Sequence, residues 1–434
     1  MGEGTLAEEP KESGEQEEGM SRRSALKIGV FTAAGAVVGG ALGFFGGSAS
    51  RQPTIDNLNA RLADYTRIIN LPPLSDRISM YNWSLYTNYA LLDTFEKKFK
   101  LTMTYDETAE TQDDFRQKLK TGGGGYDLMV VTGYAVQEAI NAGLLEKLNH
   151  DYIPNIDQLD PGYGTPWDPG HEYSLPYLWG TTGIGWNTNT AVLPPGDTVH
   201  TFDQIFDTTA GSFLQNNAGK VTIQADRDEA LAAAAIYNGR SINDLSPAAL
   251  SEIEQTLIAV KPYISEFADA TRYFDGLSTG EFVASHAWSG DVLFVRETAN
   301  PDVTYTIPDE GAVIWTDNYV IPKNAPHKDT AMVFINYMWE ASNAAVLAMF
   351  RNYMIANKLA LQGGTKSQAA WTSDEEPFGM VLPHVWGLSD INPLAAPLFG
   401  NPPDPRVSKL QVTQARTDQQ NQDLASLWER VQAA

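Results

Sequence analysis

Residues 77–131, RISMYNWSLYTNYALLDTFEKKFKLTMTYDETAETQDDFRQKLKTGGGGYDLMVV, decide the fold. Alternation at 77–81 reads as a strand. Ala90, Leu91, Phe95 and Phe99 then recur at helical spacing over 88–99, and 101–105 reads as a second strand. A second helix over 111–119 and a third strand over 126–131 complete the series. Strand, helix, strand, helix, strand with short connections implies an α/β fold, a parallel sheet with helices on its faces. Gly122, Gly123, Gly124 and Gly125 precede a strand instead of opening a helix, and no Lys-Ser or Lys-Thr follows them. They read as a turn and not as a phosphate cradle.

Beyond that segment, 161–176 is rich in Pro, Gly and aromatic residues and runs into Tyr177-Leu178-Trp179-Gly180-Thr181-Thr182-Gly183-Ile184-Gly185-Trp186-Asn187. Small residues flanked by extended aromatics fit a strand leaving one lobe and entering another. A second α/β segment follows, with helices over 228–236, 247–260 and 292–298 and a strand around His286. The stretch 328–348 reads as one helix and 423–433 as a short amphipathic terminal helix. No internal repeat is evident.

At 434 residues the chain is long enough for two domains of ordinary size, and 43% hydrophobic content argues for packed cores. A net charge of -24 makes nucleic acid an improbable partner. With no cysteine there is no disulfide, thiol nucleophile, zinc–thiolate site or lipid-modified N-terminal cysteine. The six histidines show no i, i+3 or i, i+4 spacing, so neither metal nor cofactor is expected.

Residues 1–19 are rich in Glu and Gly and read as disordered. Ser21-Arg22-Arg23-Ser24-Ala25-Leu26-Lys27, the weakly apolar stretch 28–45 and Gly47-Ser48-Ala49-Ser50 together resemble a twin-arginine export signal, with Ala25 where a bulky residue is usual. The other reading of 28–45 is a marginal membrane anchor. The resemblance implies function in the periplasm or on the outer face of the membrane, with the leader cleaved or retained. Residues 51–76 form a polar linker broken by Pro72-Pro73.

Tyr81-Asn82-Trp83-Ser84-Leu85-Tyr86 closes the first strand, and far downstream Trp315-Thr316-Asp317 again offers an aromatic and a carboxylate. Aromatic faces attract an ammonium group and a carboxylate fixes its position, so these residues suggest a cation receptor. Asp226 and Glu229 share one face at the start of a helix, where capping and ligand binding explain them equally well. Their spacing on one helix suits poorly the acid and base of a secreted hydrolase, which needs them on opposite sides of a bond.

From Tyr81 onward the chain resembles the polyamine-binding proteins of bacterial ABC importers, the spermidine and putrescine receptor family. Tyr81-Asn82-Trp83, Lys118-Leu119-Lys120, Tyr126-Asp127-Leu128, Leu159-Asp160-Pro161, Asp168-Pro169 and Tyr173-Ser174-Leu175-Pro176-Tyr177-Leu178-Trp179-Gly180 carry the likeness over about 77–357. It implies two α/β lobes closing on a ligand cleft, one of 77–183 and 317–357, the other of 184–316 and 358–434. It also implies no catalysis, a monomer, and delivery of a polyamine or related organic cation to a membrane ABC permease. A sugar or another solute in the same fold is the alternative.

Carried over position by position, the resemblance implies aromatic walls at Trp83, Tyr86, Tyr134, Trp288, Trp315 and Tyr353. It implies acids at Asp226, Glu229 and Asp317 and hydroxyls at Ser84 and Thr132. Leu85 stands where family members carry an acid, which implies a weaker charge complement at one part of the cleft. Tyr353 lies in a segment without the prolines usual there.

Overall fold

The computed structural model describes residues 73–160, 163–363 and 405–434. The stretch read as an export leader, most of the segment read as a linker, and Pro161 lie outside the described residues.

The opening segment folds as its periodicity requires. Strand β1 (Arg77–Trp83) runs parallel to β2 (Thr102–Ala109) and β3 (Leu128–Thr132). Helix α1 (Tyr89–Phe99) is capped by the Asn88 side chain, which accepts from the Ala90 N–H, and it buries Leu91, Leu92 and Phe95. Helix α2 (Gln112–Lys120) starts at a reciprocal Thr111/Asp114 capping box. All four residues of the glycine run have φ between 59° and 86°, which side chains disfavour, so the turn into β3 depends on their identity. Helix α3 (Gly133–Asn141) leaves β3 directly.

Short helical turns aside, the chain continues through β4 (Ser174–Asn187), β5 (Val221–Gln224), α4 (Arg227–Tyr237), α5 (Pro247–Val260), β6 (Glu266–Ala268), α6 (Ala270–Thr279), β7 (Ala284–Trp288), α7 (Ser289–Thr298), β8 (Val303–Thr306) and β9 (Val313–Val320). After them come α8 (Lys328–Met338), α9 (Ala341–Arg351) and α10 (Asp418–Ala433). Among the described residues the strand order is β2-β1-β3-β9-β4-β7-β5-β6, with β8 beside β4.

The expected parallel sheet therefore holds only at its two ends. Both β1–β2–β3 and β5–β6–β7 are parallel. In the middle, β9 is antiparallel to β3 and β4, and β4 is antiparallel to β7 and β8. Strands β4 and β9 lie at the centre of the sheet and run in opposite directions.

A second difference concerns 328–348, which is two helices and not one. Glu340 turns extended, with φ -55° and ψ 131°. The preceding Trp339 is anchored by its indole N–H, which donates to the Pro176 carbonyl at 2.9 Å. Asn343 recovers a freed helix carbonyl by donating to Tyr337 O at 2.8 Å. The terminal helix α10 begins earlier than periodicity suggests, at a Thr417/Gln420 capping box, and buries Leu424, Leu427, Trp428 and Val431.

Candidate functional site

Strand register brings the candidate residues together. Thr132 lies opposite Asp317 across β3 and β9, Gly180 opposite Trp315 across β4 and β9, and Thr182 opposite Trp288 across β4 and β7. At this junction is a cavity lined by Trp83, Ser84, Tyr86, Thr132, Tyr134, Asp226, Glu229, Trp288, Trp315, Asp317 and Tyr353. All eleven candidates are there. Gln112 and Asp291, which the sequence reading did not single out, complete the lining.

The aromatic walls fall into two groups. Trp83 meets Trp288 edge-on, with ring centroids 5.7 Å apart. Tyr353 stands edge-on between Tyr86 at 5.5 Å and Trp315 at 5.2 Å. The Trp315 indole donates to Thr182 Oγ1 at 3.1 Å, whereas the Trp83 indole nitrogen and Gln112 Nε2 are buried without a partner. Buried donors without acceptors are costly, and both of these belong to the cavity walls.

The carboxylates divide by how much the protein itself gives them. Asp226 caps α4, accepting from the Asp228 and Glu229 N–H groups at 2.9 and 3.2 Å, and also accepts from the Gln112 N–H at 3.0 Å. Burial and the charge of Asp228 raise its pKa to about 6. Glu229 accepts from the Trp288 indole at 3.4 Å, while its Oε2 makes no hydrogen bond of good geometry. Burial, then the charge of Asp226, raise Glu229 to about 8, with the nearby Thr182 hydroxyl pulling slightly the other way. Asp317 accepts from Thr132 Oγ1 at 2.6 Å. Burial raises it to about 7 against the moderating Thr132 and Tyr86 hydroxyls. Capping thus accounts for Asp226, but it accounts for neither Glu229 nor Asp317.

Next to the cavity lies a saturated ion cluster. Asp228 receives Arg416 at 2.7 Å, Arg116 at 3.0 Å and Arg227 at 3.1 Å, all with nearly buried side chains. Arg116 also pairs with Glu138 at 2.9 Å and Asp113 at 2.8 Å. Tyr134 joins cluster to cavity: its hydroxyl donates to Asp228 Oδ2 at 3.0 Å, and the guanidinium groups of Arg116 and Arg416 lie 5.4 and 5.8 Å from its ring. Much of the ring's capacity for a cation is therefore already used by the protein.

Leu85 alters one sequence expectation. It has a left-handed backbone (φ 52°), is 40% exposed and does not line the cavity, so its apolar character removes no charge from these walls. Thr132 gives its hydroxyl to Asp317 and not to nearby backbone; Ser84 Oγ lies 3.5 Å from Thr271 Oγ1 across the cleft. Tyr353 is buried and donates to Asp291 Oδ1 at 3.1 Å. Asp291 had a local signal, an acid three residues after Trp288 at a helix start. Asp168 of the Asp168-Pro169 motif is scaffold: its carboxylate accepts from the N–H groups of Glu172, Tyr173 and Ser174.

Two α/β lobes joined by crossing strands, with an aromatic and acidic cavity at the crossing, define a solute-binding protein of the periplasmic type. Residues 90–378 match the family described as bacterial extracellular solute-binding protein, and the chain belongs to that family of non-enzymatic components of ABC transporters. Among curated relatives it is 29% identical to spermidine/putrescine-binding periplasmic protein 1 of Haemophilus influenzae, over 65% of this chain and 76% of that one. It is 30% identical to a putrescine/cadaverine-binding protein of Pseudomonas aeruginosa, over 63% and 77%. The fold matches a putative spermidine/putrescine ABC transporter structure from Listeria monocytogenes at TM-score 0.68 and 23% identity, covering 82% of this chain and 99% of the other.

Proposed function

We propose that the protein is an extracytoplasmic receptor for a polyamine or related organic cation, which it delivers to an ABC permease in the membrane. One observation carries this reading: Asp317 is buried and Glu229 is half-buried with its Oε2 shielded from solvent, neither has an ion pair to a protein cation among the described residues, and aromatic rings wall the same cavity. A ligand ammonium supplies the missing charge, and indole and phenol faces receive its methylenes and its positive field. Relatives named for binding spermidine, putrescine or cadaverine support the same class of ligand. The reading includes export by the twin-arginine route, action as a monomer, and a lobe division at 77–183 with 317–357 against 184–316 with 358–434. Ligand contacts to both lobes then favour the closed state.

Calorimetric titration of the full chain with putrescine, spermidine, spermine and a neutral sugar tests it. The expected result is saturable binding of at least one amine and none of the sugar. Asp317→Asn should weaken amine binding by about ten- to a hundredfold, the scale of one charge-assisted hydrogen bond, with the melting curve retained. Sugar binding with silence toward every amine would sink the proposal.

A further inference from the structure

Four carboxylates reach the cavity, and the protein neutralises one of them itself. Both oxygens of Asp291 accept protein donors: Tyr273 Oη at 2.6 Å on Oδ2, with Tyr353 Oη and Arg351 Nη2 each at 3.1 Å on Oδ1. Arg351 is 3% exposed, and its guanidinium lies against the rings of Phe294 and Phe350 at 5.1 and 5.9 Å.

The chain is shaped to place this guanidinium. Arg351 ends α9, Asn352 takes a left-handed turn (φ 57°) and donates to Glu297 Oε2 at 3.0 Å, and Tyr353 reaches Asp291. Three consecutive residues thus dock on α7. A Cβ at Gly290 would lie 2.5 Å from the Tyr353 ring and 2.6 Å from Arg351 O, so only glycine admits the approach. Asp226 is also committed, to three backbone N–H groups. Glu229 and Asp317 remain.

We propose that Arg351 is a positioning residue for specificity: by holding Asp291 in an internal ion pair it leaves the cavity two carboxylates for ligand charge, and so favours a short diamine over tri- and tetraamines. This rests on the amine reading of the site. A third ammonium would enter a desolvated cavity with no free carboxylate to meet it and a guanidinium beside the nearest acid.

The test is calorimetric titration of the full chain with putrescine, spermidine and spermine, in the wild type, Arg351→Met, Arg351→Lys and the double variant Arg351→Met/Asp291→Asn. The wild type should prefer putrescine over spermidine by about tenfold or more, the scale of one unpaired charge. Arg351→Met should shift that ratio about tenfold or more toward spermidine, Arg351→Lys should keep the wild-type ratio, and the double variant should lose the gain. A merely structural role would lower all affinities together and leave the ratio in place. Should the Met variant not fold, Arg351→Gln takes its place, and the wild-type ratio is decisive by itself. Spermidine bound as tightly as putrescine by the wild type, or an unchanged ratio in a folded neutral variant, overturns this inference alone. Silence toward all three amines overturns it together with the amine reading.

Discussion

Asp228 and Glu229 are neighbours in sequence, the first buried and the second half-buried with its Oε2 shielded from solvent, and the structure treats them in opposite ways. Burial by itself would raise Asp228, but Arg416, Arg116 and Arg227 outweigh it and hold the carboxyl well below its usual range. One residue later no cation among the described residues answers, and burial with the charge of Asp226 raises Glu229 to about 8. A carboxylate that the protein has paired belongs to the scaffold. On the proposed reading, a carboxylate that the protein has shielded and left unpaired receives a cation from outside.

The most severe way to break this contrast is to neutralise the paired member. Asp228→Asn leaves three nearly buried guanidinium groups with less compensation, and we expect a loss of about 3–5 kcal/mol in unfolding stability, measured by denaturant titration. Glu229→Gln should cost less than about 1 kcal/mol, because with its pKa raised to about 8 the carboxyl is already largely uncharged at neutral pH. Equal losses would show that the two acids share one structural role.

Solution pH sharpens the same contrast, with opposite signs on the two sides. Glu229 and Asp317 have raised values, so their contribution to the ligand-free fold is present at acid pH and is lost as pH rises through about 7 to 8. Asp228 has a depressed value, so its contribution is present at neutral pH and is lost only in strong acid. An ammonium requires the first pair ionised. Amine affinity should therefore rise by about tenfold or more from pH 5.5 to 8.5, and binding at pH 6.5 should release protons, seen as heats that depend on the ionisation enthalpy of the buffer. Affinity flat across that range would mean that neither carboxylate takes the ligand charge.

The parts legible in the sequence are those governed by neighbours along the chain. The β1-to-β3 segment follows from short periodicities, caps at Asn88 and Thr111, and a glycine run. Eleven of the thirteen lining residues came from family resemblance added to residue chemistry, since an aromatic alone is more often core than wall. What stayed hidden depends on distant pairing. The break between α8 and α9 rests on Trp339 reaching Pro176, and the saturation of Asp228 needs Arg416 from 188 positions away. Arg351 meets Asp291 across 60 positions. The antiparallel centre of the sheet was hidden for the same reason, because strand direction across a lobe boundary is set by where the chain returns and not by alternation.

The smallest effect is expected at Leu85, where family resemblance points to an acid and the structure points outward. Leu85→Asp adds its charge at an exposed turn, where charges contribute about 0–1 kcal/mol, so amine affinity should stay within about fivefold of the wild type. The left-handed backbone supplies a control, since Leu85→Gly should stabilise the fold by about 1 kcal/mol at unchanged affinity. A gain of tenfold or more from the aspartate would place residue 85 against the bound ligand, which requires the turn to swing inward on capture. The division between paired scaffold acids and unpaired ligand acids would then need a third kind of position, one that joins the site only when it closes.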